Sequence, residues 1–372
     1  MAAYGWASPL VQSTCQVAID LASRLGTEDR KFGPLWGLWS NQFVAGQLEE
    51  AMKTAFEVLS LSEKDGGSVY ALPARHATAY TCYYQGQYKA AIEHADAGIS
   101  LYDYEREQQY CQSFQLSPVV SVMTARCSSL WMLGHQQEGI EESKKMLELA
   151  RSLCHPPTLV SALGFFSFMN FYERDWESML VSATEAVNLS TLEGFSMWRA
   201  HTGLYQSYAK FSLESHKANA KEVVEYARLF RQTGSLVTDC STTFLLSSAL
   251  HYLDHTDEAL NEIDCGLKTA DCGRLGVMKA ELLRLKGEIL ASLDKDEAAD
   301  RAFREAIQLA QAQGARSLQL RAINSLIRHR IVHQREVEIL TEELHKLLDS
   351  MHSQHGRPEF ELARGLLLET AQ

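Results

Sequence analysis

Histidine, cysteine and carboxylate side chains are the residues of this chain whose chemistry would support metal binding or catalysis. The 372-residue sequence holds 13 histidines, but it contains no His-Glu-x-x-His run. His251 and His255 form an i,i+4 pair without a third ligand at a suitable spacing, so we expect no metal site. A Gly-x-Ser-x-Gly nucleophile turn and a clear Cys–His arrangement are also missing, so no catalytic motif is recognisable.

The eight cysteines favour packing over chemistry. They form no Cys-x-x-Cys pair, and most of them fall within apolar helical patterns, where Cys packs like a small hydrophobic residue. We predict free and mostly buried thiols in a reducing compartment. No apolar run approaches the roughly 20 residues that cross a bilayer, and "MAAYGWASPLVQSTCQ" does not resemble a signal peptide. We therefore expect a cytoplasmic protein without a membrane partner.

Composition narrows the class of partner further. A hydrophobic content of 46% and a charged content of 22% are typical of a folded globular protein. The net charge of −12 works against binding of a phosphate backbone, because such binders need clustered Lys and Arg. We expect neither a nucleic-acid partner nor a cofactor.

The elements that would position any site come from an internal repeat. Similar segments start at turn residues spaced by roughly 40 residues, with one longer interval: Gly46, Gly86, Gly134, Arg174, about Glu214, Asp254 and Leu293. In every copy except the degenerate fifth one near Glu214, small or apolar residues stand 5, 6, 9 and 13 positions after the turn residue, which traces one stripe of an α-helix. A second helical segment precedes each turn, so the unit is a helical hairpin.

One such hairpin cannot bury both of its apolar faces, so neighbouring hairpins must stack. We predict an all-α, right-handed superhelix of about seven hairpins. Residues 1–27 would form a leading helix, residues 28–330 the repeat array and residues 331–372 capping helices. The leading helix has no partner helix, which suggests half of a truncated repeat.

The repeat resembles the tetratricopeptide (TPR) pattern, with Gly in the turn, Ala five residues later and a bulky residue next, as in Gly46, Ala51 and Met52. The 40-residue version is similar to the C-terminal sensor regions of bacterial signalling ATPases, including those linked to adenylate or guanylate cyclases, and of maltose-regulator-type activators. Residues 101–135, 287–329 and 355–369 carry this narrower resemblance. The chain lacks a Gly-x-x-x-x-Gly-Lys-Ser/Thr loop and a cyclase core, so the resemblance implies a sensor and not those activities.

The resemblance also implies a site, because the first helix of each TPR hairpin lines an inner groove. Carried over to this chain, that register predicts ten ligand-binding residues: His76, Tyr80, Tyr84, Trp131, Phe168, Tyr172, His201, Tyr208, Phe244 and His251. Arg126 and Arg199, arginines that recur on first helices, could reach an anionic group of the ligand and bring the predicted set to twelve. Rings would contact the ligand while hydroxyls and imidazoles orient it. The alternatives are that the rings pack between hairpins and that the arginines pair with carboxylates of a neighbouring repeat.

Two functions follow from the resemblance. The first is a non-catalytic binding and sensor module that captures a peptide, a protein segment or a small, partly apolar ligand in an aromatic groove and relays the event to a signalling partner. The alternative is a stand-alone enzyme or small-molecule-binding protein that uses the same groove as a pocket, with His76, His201 and His251 as general-base candidates. The insertion "DYEREQQYCQSFQLSP" would be either a lid over the groove or an exposed loop.

Overall fold

The computed structural model describes residues 7–64, 69–351 and 357–370, with the backbone alone for Glu28, Asp29 and Lys64. Within these ranges the chain forms α-helices and one 3₁₀ turn, and no strand. The helices are α1 (Pro9–Arg24), a 3₁₀ turn (Glu28–Lys31), α2 (Phe32–Val44), α3 (Leu48–Lys64), α4 (Ala71–Tyr84), α5 (Tyr88–Ile99), α6 (Tyr104–Phe114), α7 (Pro118–Met132), α8 (Gln136–Ser152), α9 (Pro156–Glu173), α10 (Trp176–Leu192), α11 (Ser196–Leu213), α12 (Lys217–Arg231), α13 (Asp239–Tyr252), α14 (Thr256–Gly273), α15 (Lys279–Ala291), α16 (Asp296–Gln313), α17 (Arg316–Val332), α18 (Glu338–Ser350) and α19 (Pro358–Thr370).

All but one of the turn residues of the repeat adopt the left-handed backbone conformation that ends one helix before the next begins; Glu214, at the fifth turn, is extended with φ of −129°. Gly46, Gly86 and Gly134 do so with φ of 72°, 80° and 96°, which glycine tolerates because it has no Cβ. Later turns use other residues with positive φ: Arg174, Asp254, Asp294 and Gln334. The seventh turn residue is therefore Asp294, one position after the predicted Leu293.

These turns join the helices into hairpins, α2/α3, α4/α5, α7/α8, α9/α10, α11/α12, α13/α14, α15/α16 and α17/α18. The predicted TPR-like all-α repeat fold is confirmed, and an eighth hairpin follows the seven predicted ones. The boundaries proposed near residues 27 and 330 stay predictions. Residues 1–6, 352–356 and 371–372 of the predicted end segments lie outside the described ranges.

The first helix of each hairpin lies inside and the second lies outside. In α7, an inner helix, only Met123 and Arg126 escape full burial, whereas the following outer helix α8 buries a single stripe. The two helices approach closely at the position five residues after the turn. Ala51 and Ala91 are completely buried there, and a Cβ on Gly139 would lie 2.8 Å from the carbonyl oxygen of Cys127. The small residue of the repeat is thus a packing requirement.

Successive turns of the superhelix contact each other along a line that we call the seam. It joins the ends of the inner helices α2, α4, α7 and α9 to segments four or five hairpins later. The backbone N–H of Leu236 donates to the carbonyl of Val44 at 2.9 Å, and that of Gly276 donates to the carbonyl of Tyr84 at 2.7 Å. The hydroxyl of Ser317 donates to the carbonyl of Trp131 at 2.5 Å, and the guanidinium of Arg321 donates to the carbonyl of Tyr172. The superhelix is therefore closed on itself.

The predicted insertion forms helix α6. Asp103 caps it by accepting hydrogen bonds from the backbone N–H groups of Glu105 at 3.0 Å and Arg106 at 3.1 Å. The Phe114 ring packs against Phe32 and Trp36, with ring centroids 5.9 and 4.9 Å apart. The insertion is thus an ordered helix over the first inner helix and not an open loop.

The cysteines only partly match the prediction of buried thiols. All eight are free, and Cys82, Cys111, Cys127 and Cys240 are buried, whereas Cys154, Cys265 and Cys272 are exposed. Among the described helices, none combines the length and the apolar character needed to span a bilayer.

Candidate functional site

Nine of the twelve predicted ligand-binding residues lie inside the closed superhelix. Each of the nine is at most 8% exposed: His76, Tyr80, Tyr84, Trp131, Phe168, Tyr172, His201, Tyr208 and Phe244. They belong to the inner helices α4, α7, α9, α11 and α13. The register implied by the TPR resemblance therefore selects inward-facing residues, and their role in ligand binding stays a prediction.

One aromatic group is centred on α4. The His76 imidazole contacts the rings of Trp36, Trp39 and Tyr80, with centroids 5.3, 5.4 and 4.7 Å away. Tyr84 continues the group by meeting Phe43 edge-on at 5.1 Å. Such edge-to-face arrangements stabilise rings beyond simple area burial.

A second aromatic group is centred on Phe168 of α9. Its ring lies 4.5 Å from Tyr172 and 5.7 Å from Tyr205, between centroids. Trp131 stacks on Tyr172 at 4.5 Å with an interplanar angle of 15°, and His201 lies 4.7 Å from Tyr205. The rings of three successive hairpins thus form a continuous inner wall.

A small cavity lies where the two aromatic groups meet the second turn of the superhelix. Its lining consists of Tyr84, Phe165, Phe168, His201, Tyr205, Val237, Thr238, Cys240, Ser241, Val277 and Met278. It has room for about one water molecule. Three of the lining residues were predicted. The others are Phe165 of α9, Tyr205 of α11 and residues between 237 and 278, and this last group meets the first turn across the seam. Tyr205 could have been predicted, because it follows His201 by one helical turn.

The two buried imidazoles supply the polar chemistry of this interior. Burial lowers the pKa of His76 to about 3 and that of His201 to about 4, so both rings are neutral near pH 7. Nδ1 of His76 and Nε2 of His201 have no hydrogen-bond partner among the described residues. An unsatisfied buried polar atom costs about 1–3 kcal/mol, and a ligand that paired with it would remove that cost.

Three predicted residues lie away from the interior. The guanidinium of Arg126 is 2.7 Å from Asp96, with Glu138 and Glu142 each at 3.4 Å, which matches the alternative of pairing with carboxylates of neighbouring helices. Arg199 is exposed. Nδ1 of His251 lies 3.0 Å from the Thr256 hydroxyl. A ligand-binding role for these three stays a prediction that the closed form does not bring together with the other nine.

A buried charged cluster reinforces the seam beside Trp131. Arg321 places Nη1 3.1 Å from Glu281 and its guanidinium carbon 5.2 Å from the centroid of the Trp131 ring. Glu281 also accepts from Arg284 at 2.9 Å, and Glu359 pairs with Arg174 at 2.6 Å. Burial alone would raise the pKa of Glu281, but Arg284 and Arg321 outweigh it and lower that pKa to about 2. These charges join helices of both turns.

We expect Gly276→Ala to loosen the seam. A Cβ at this position would lie 2.3 Å from the carbonyl oxygen of Gln85, so the two backbones would have to separate. Overpacking of this kind costs about 1–3 kcal/mol, measurable by chemical denaturation, and small-angle scattering should show a larger radius of gyration. Gly365→Ala is the matched control, since nothing lies within 4 Å of its added Cβ. Equal behaviour of the two variants would contradict a tight seam.

Comparison with known proteins places the fold but no family. No family model matches the sequence, and no curated protein matches it. Among solved structures, a Rap protein complexed with Competence and Sporulation Factor gives a TM-score of 0.56 at 10% identity, covering 92% of this chain and 97% of that one. The Rap conjugation gene regulator of plasmid pLS20 in complex with the Phr* peptide gives 0.51 at 11% identity, covering 91% and 96%. A human IFIT1 dimer with PPP-AAAA gives 0.52 at 13% identity, covering 97% and 79%. These proteins have TPR-like helical repeats, which supports the same fold here.

Proposed function

We propose that this chain is a non-catalytic, TPR-like binding and sensor module whose ligand enters the aromatic interior. The observation that carries the proposal is the burial of nine predicted residues behind the seam, on an inner wall of aromatic rings and unpaired imidazoles. The cavity beside Phe168 and His201 holds space for about one water molecule, so a larger ligand fits there only if the two turns separate.

Ligand capture and a change of superhelix pitch would then be one event. A ligand that binds the open form better than the closed form shifts the population toward the open form by its difference in affinity. The narrower resemblance to sensor regions of signalling ATPases suggests which protein would respond to that change of pitch, namely a fused or separate signalling ATPase. In this proposal, ligand binding changes the pitch of the superhelix, and the partner protein responds to the changed pitch.

The interior also suggests the ligand class. Aromatic walls would bind apolar side chains, while the neutral imidazoles of His76 and His201 would accept hydrogen bonds from N–H or O–H donors. A peptide offers both kinds of group along one chain. The Rap regulator that is complexed with the Phr* peptide supports a peptide as the first class to test, and a small, partly apolar ligand or a protein segment are the other members of the proposal.

The protonation states in the cavity favour binding over nucleophilic catalysis. His201 and Cys240 both line it, but burial raises the pKa of the Cys240 thiol to about 12, with Asp239 adding to the effect. Burial also lowers the pKa of His201 to about 4. The thiol stays protonated and the imidazole stays a weak base, whereas an activated cysteine needs a lowered pKa.

A disulfide across the seam tests the proposal. A Cβ on Gly46 would lie 3.1 Å from Cβ of Leu236, close to the separation of about 3.5–4.5 Å in disulfides. We would combine Gly46→Cys with Leu236→Cys in a background where the exposed Cys154, Cys265 and Cys272 are replaced by Ser. A random-peptide phage library panned on the reduced protein should enrich binders, and oxidation should weaken their binding at least tenfold.

Gly46→Cys alone is the control, because it carries the same backbone strain at a φ of 72° without forming the cross-link. Its peptide binding should not respond to oxidation. The proposal fails if the reduced protein enriches no peptide and retains no small ligand detectable by native mass spectrometry, or if the oxidised double variant binds as well as the reduced one.

A further inference from the structure

Two histidines and one aspartate meet where the last two hairpins turn. Asp296 is the first residue of α16, His329 lies in the last turn of α17, and His333 directly follows that helix as its C-cap. Their potential ligand atoms all lie within 4.8 Å of one another, the one group of this kind among the described residues. The sequence signal is a His-x-x-x-His pair completed by a carboxylate from the preceding hairpin.

The geometry is close to that of a metal site. Nδ1 of His333 lies 3.2 Å from Oδ2 of Asp296. Ligand atoms around a tetrahedral Zn²⁺ lie about 3.3–3.5 Å apart, since the metal–ligand bonds measure about 2.0–2.2 Å. Side-chain rotations that shorten the longer separations, which reach at most 4.8 Å, by up to about 1.5 Å would therefore complete the arrangement.

Unsatisfied buried atoms point to the same place. His329 is 7% exposed, and its Nε2 is buried without a hydrogen-bond partner among the described residues. Oδ1 of Asp296 is also buried and without such a partner. When His329 carries its proton on Nδ1, both atoms are buried acceptors without a donor, which is costly in the protein alone, whereas a cation would satisfy both.

The surrounding charges leave room for a cation. Nη2 of Arg335 lies 3.8 Å from Oδ2 of Asp296, but it has a nearer partner in Glu297 at 3.1 Å. The Phe303 ring contacts the His329 ring with the centroids 5.8 Å apart. The carboxylate can therefore turn to a metal while Arg335 keeps its own ion pair.

We propose that Asp296, His329 and His333 bind a divalent transition metal of the Zn²⁺ class. Three protein ligands leave at least one position for water or for a carboxylate from outside. The bound metal would tie the turn between α15 and α16 to the turn between α17 and α18, and so stiffen the end of the superhelix. This departs from the sequence-based expectation, which weighed His251 and His255 and not this pair.

Titration of the metal-free full chain with Co²⁺, followed by displacement with Zn²⁺, tests the proposal. We expect one equivalent of Co²⁺ with visible d–d absorption and without a thiolate charge-transfer band, because the proposed ligands include no cysteine. His333→Gln and Asp296→Asn, both partly exposed positions, should each weaken binding at least tenfold. His255→Gln, at the exposed end of the other histidine pair, should bind as the wild type does.

Any of three results would overturn the site. Stoichiometric binding that persists in both His333→Gln and Asp296→Asn, each shown to be folded by circular dichroism, would place the metal elsewhere. A thiolate band would assign it to the exposed cysteines. Absence of binding at micromolar Co²⁺ and Zn²⁺ would equally reject the proposal. Because Asp296 and His333 lie in different hairpins, one variant can still test the site if the other fails to fold.

Discussion

Replacing Arg321 with Met is expected to lower the free energy of unfolding by about 3–5 kcal/mol, the usual cost of removing one partner from a buried ion pair. The substitution leaves the carboxylate of Glu281, which is 1% exposed, with one cation fewer. It also removes the hydrogen bond to the Tyr172 carbonyl and the cation above the Trp131 ring. Urea denaturation at neutral pH measures the loss.

The same helix provides the control. Arg328 lies 4.0 Å from Glu288 and its side chain is 54% exposed, so Arg328→Met should change stability by no more than about 1 kcal/mol. Because Arg321 joins both turns, Arg321→Met should also speed amide hydrogen exchange at the Leu236 and Gly276 seam contacts. A loss below about 1 kcal/mol, or unchanged exchange along the seam, would show that the charged cluster does not hold the turns together.

Mild acid is expected to destabilise the protein well before most carboxylates titrate. His76 and His201 have folded-state pKa values of about 3 and 4, against about 6.5 in the unfolded chain. Protonation therefore favours unfolding, so the stability is fully present above pH 6.5 and is lost as the pH falls below that value. By pH 5 each histidine should cost about 2 kcal/mol, or about 4 kcal/mol for both.

Denaturation curves between pH 8 and pH 5 measure this effect, and the variant His76→Phe/His201→Phe isolates it. The variant should have a flatter stability profile, with the difference from wild type growing as the pH falls through 6. Glu107 and Asp239, whose pKa values burial raises, act in the opposite direction but are common to both proteins. Parallel profiles for the two proteins would show that the imidazoles can be protonated without opening the interior.

The positions taken from the TPR-like resemblance mostly face inward, because the helical period determines which side chains share a face. Nine predicted residues lie inside since they occupy one face of successive inner helices. Arg126 and Arg199 were predicted from the recurrence of arginine on first helices and not from that register, and Arg126 pairs with carboxylates of α5 and α8. His329 and His333 were visible in the sequence as an i,i+4 pair. Asp296, the third residue of the proposed metal site, lies in the preceding hairpin and comes close to them only when the two hairpins pack together.

The sequence by itself determined the hairpin unit and its period of roughly 40 residues, because both depend on interactions within a hairpin or between neighbouring hairpins. The inward face of each first helix came from the TPR resemblance. Only the tertiary structure decided that the superhelix closes. Contacts such as Gly276 with Tyr84 join segments some five hairpins apart. Whether such segments meet depends on the small rotations at all the hairpin interfaces between them, which add up along the chain. The local periodicity of the sequence does not specify this total. Because the accumulated rotation brings the two turns into contact, the predicted open groove is instead a filled interior behind the seam.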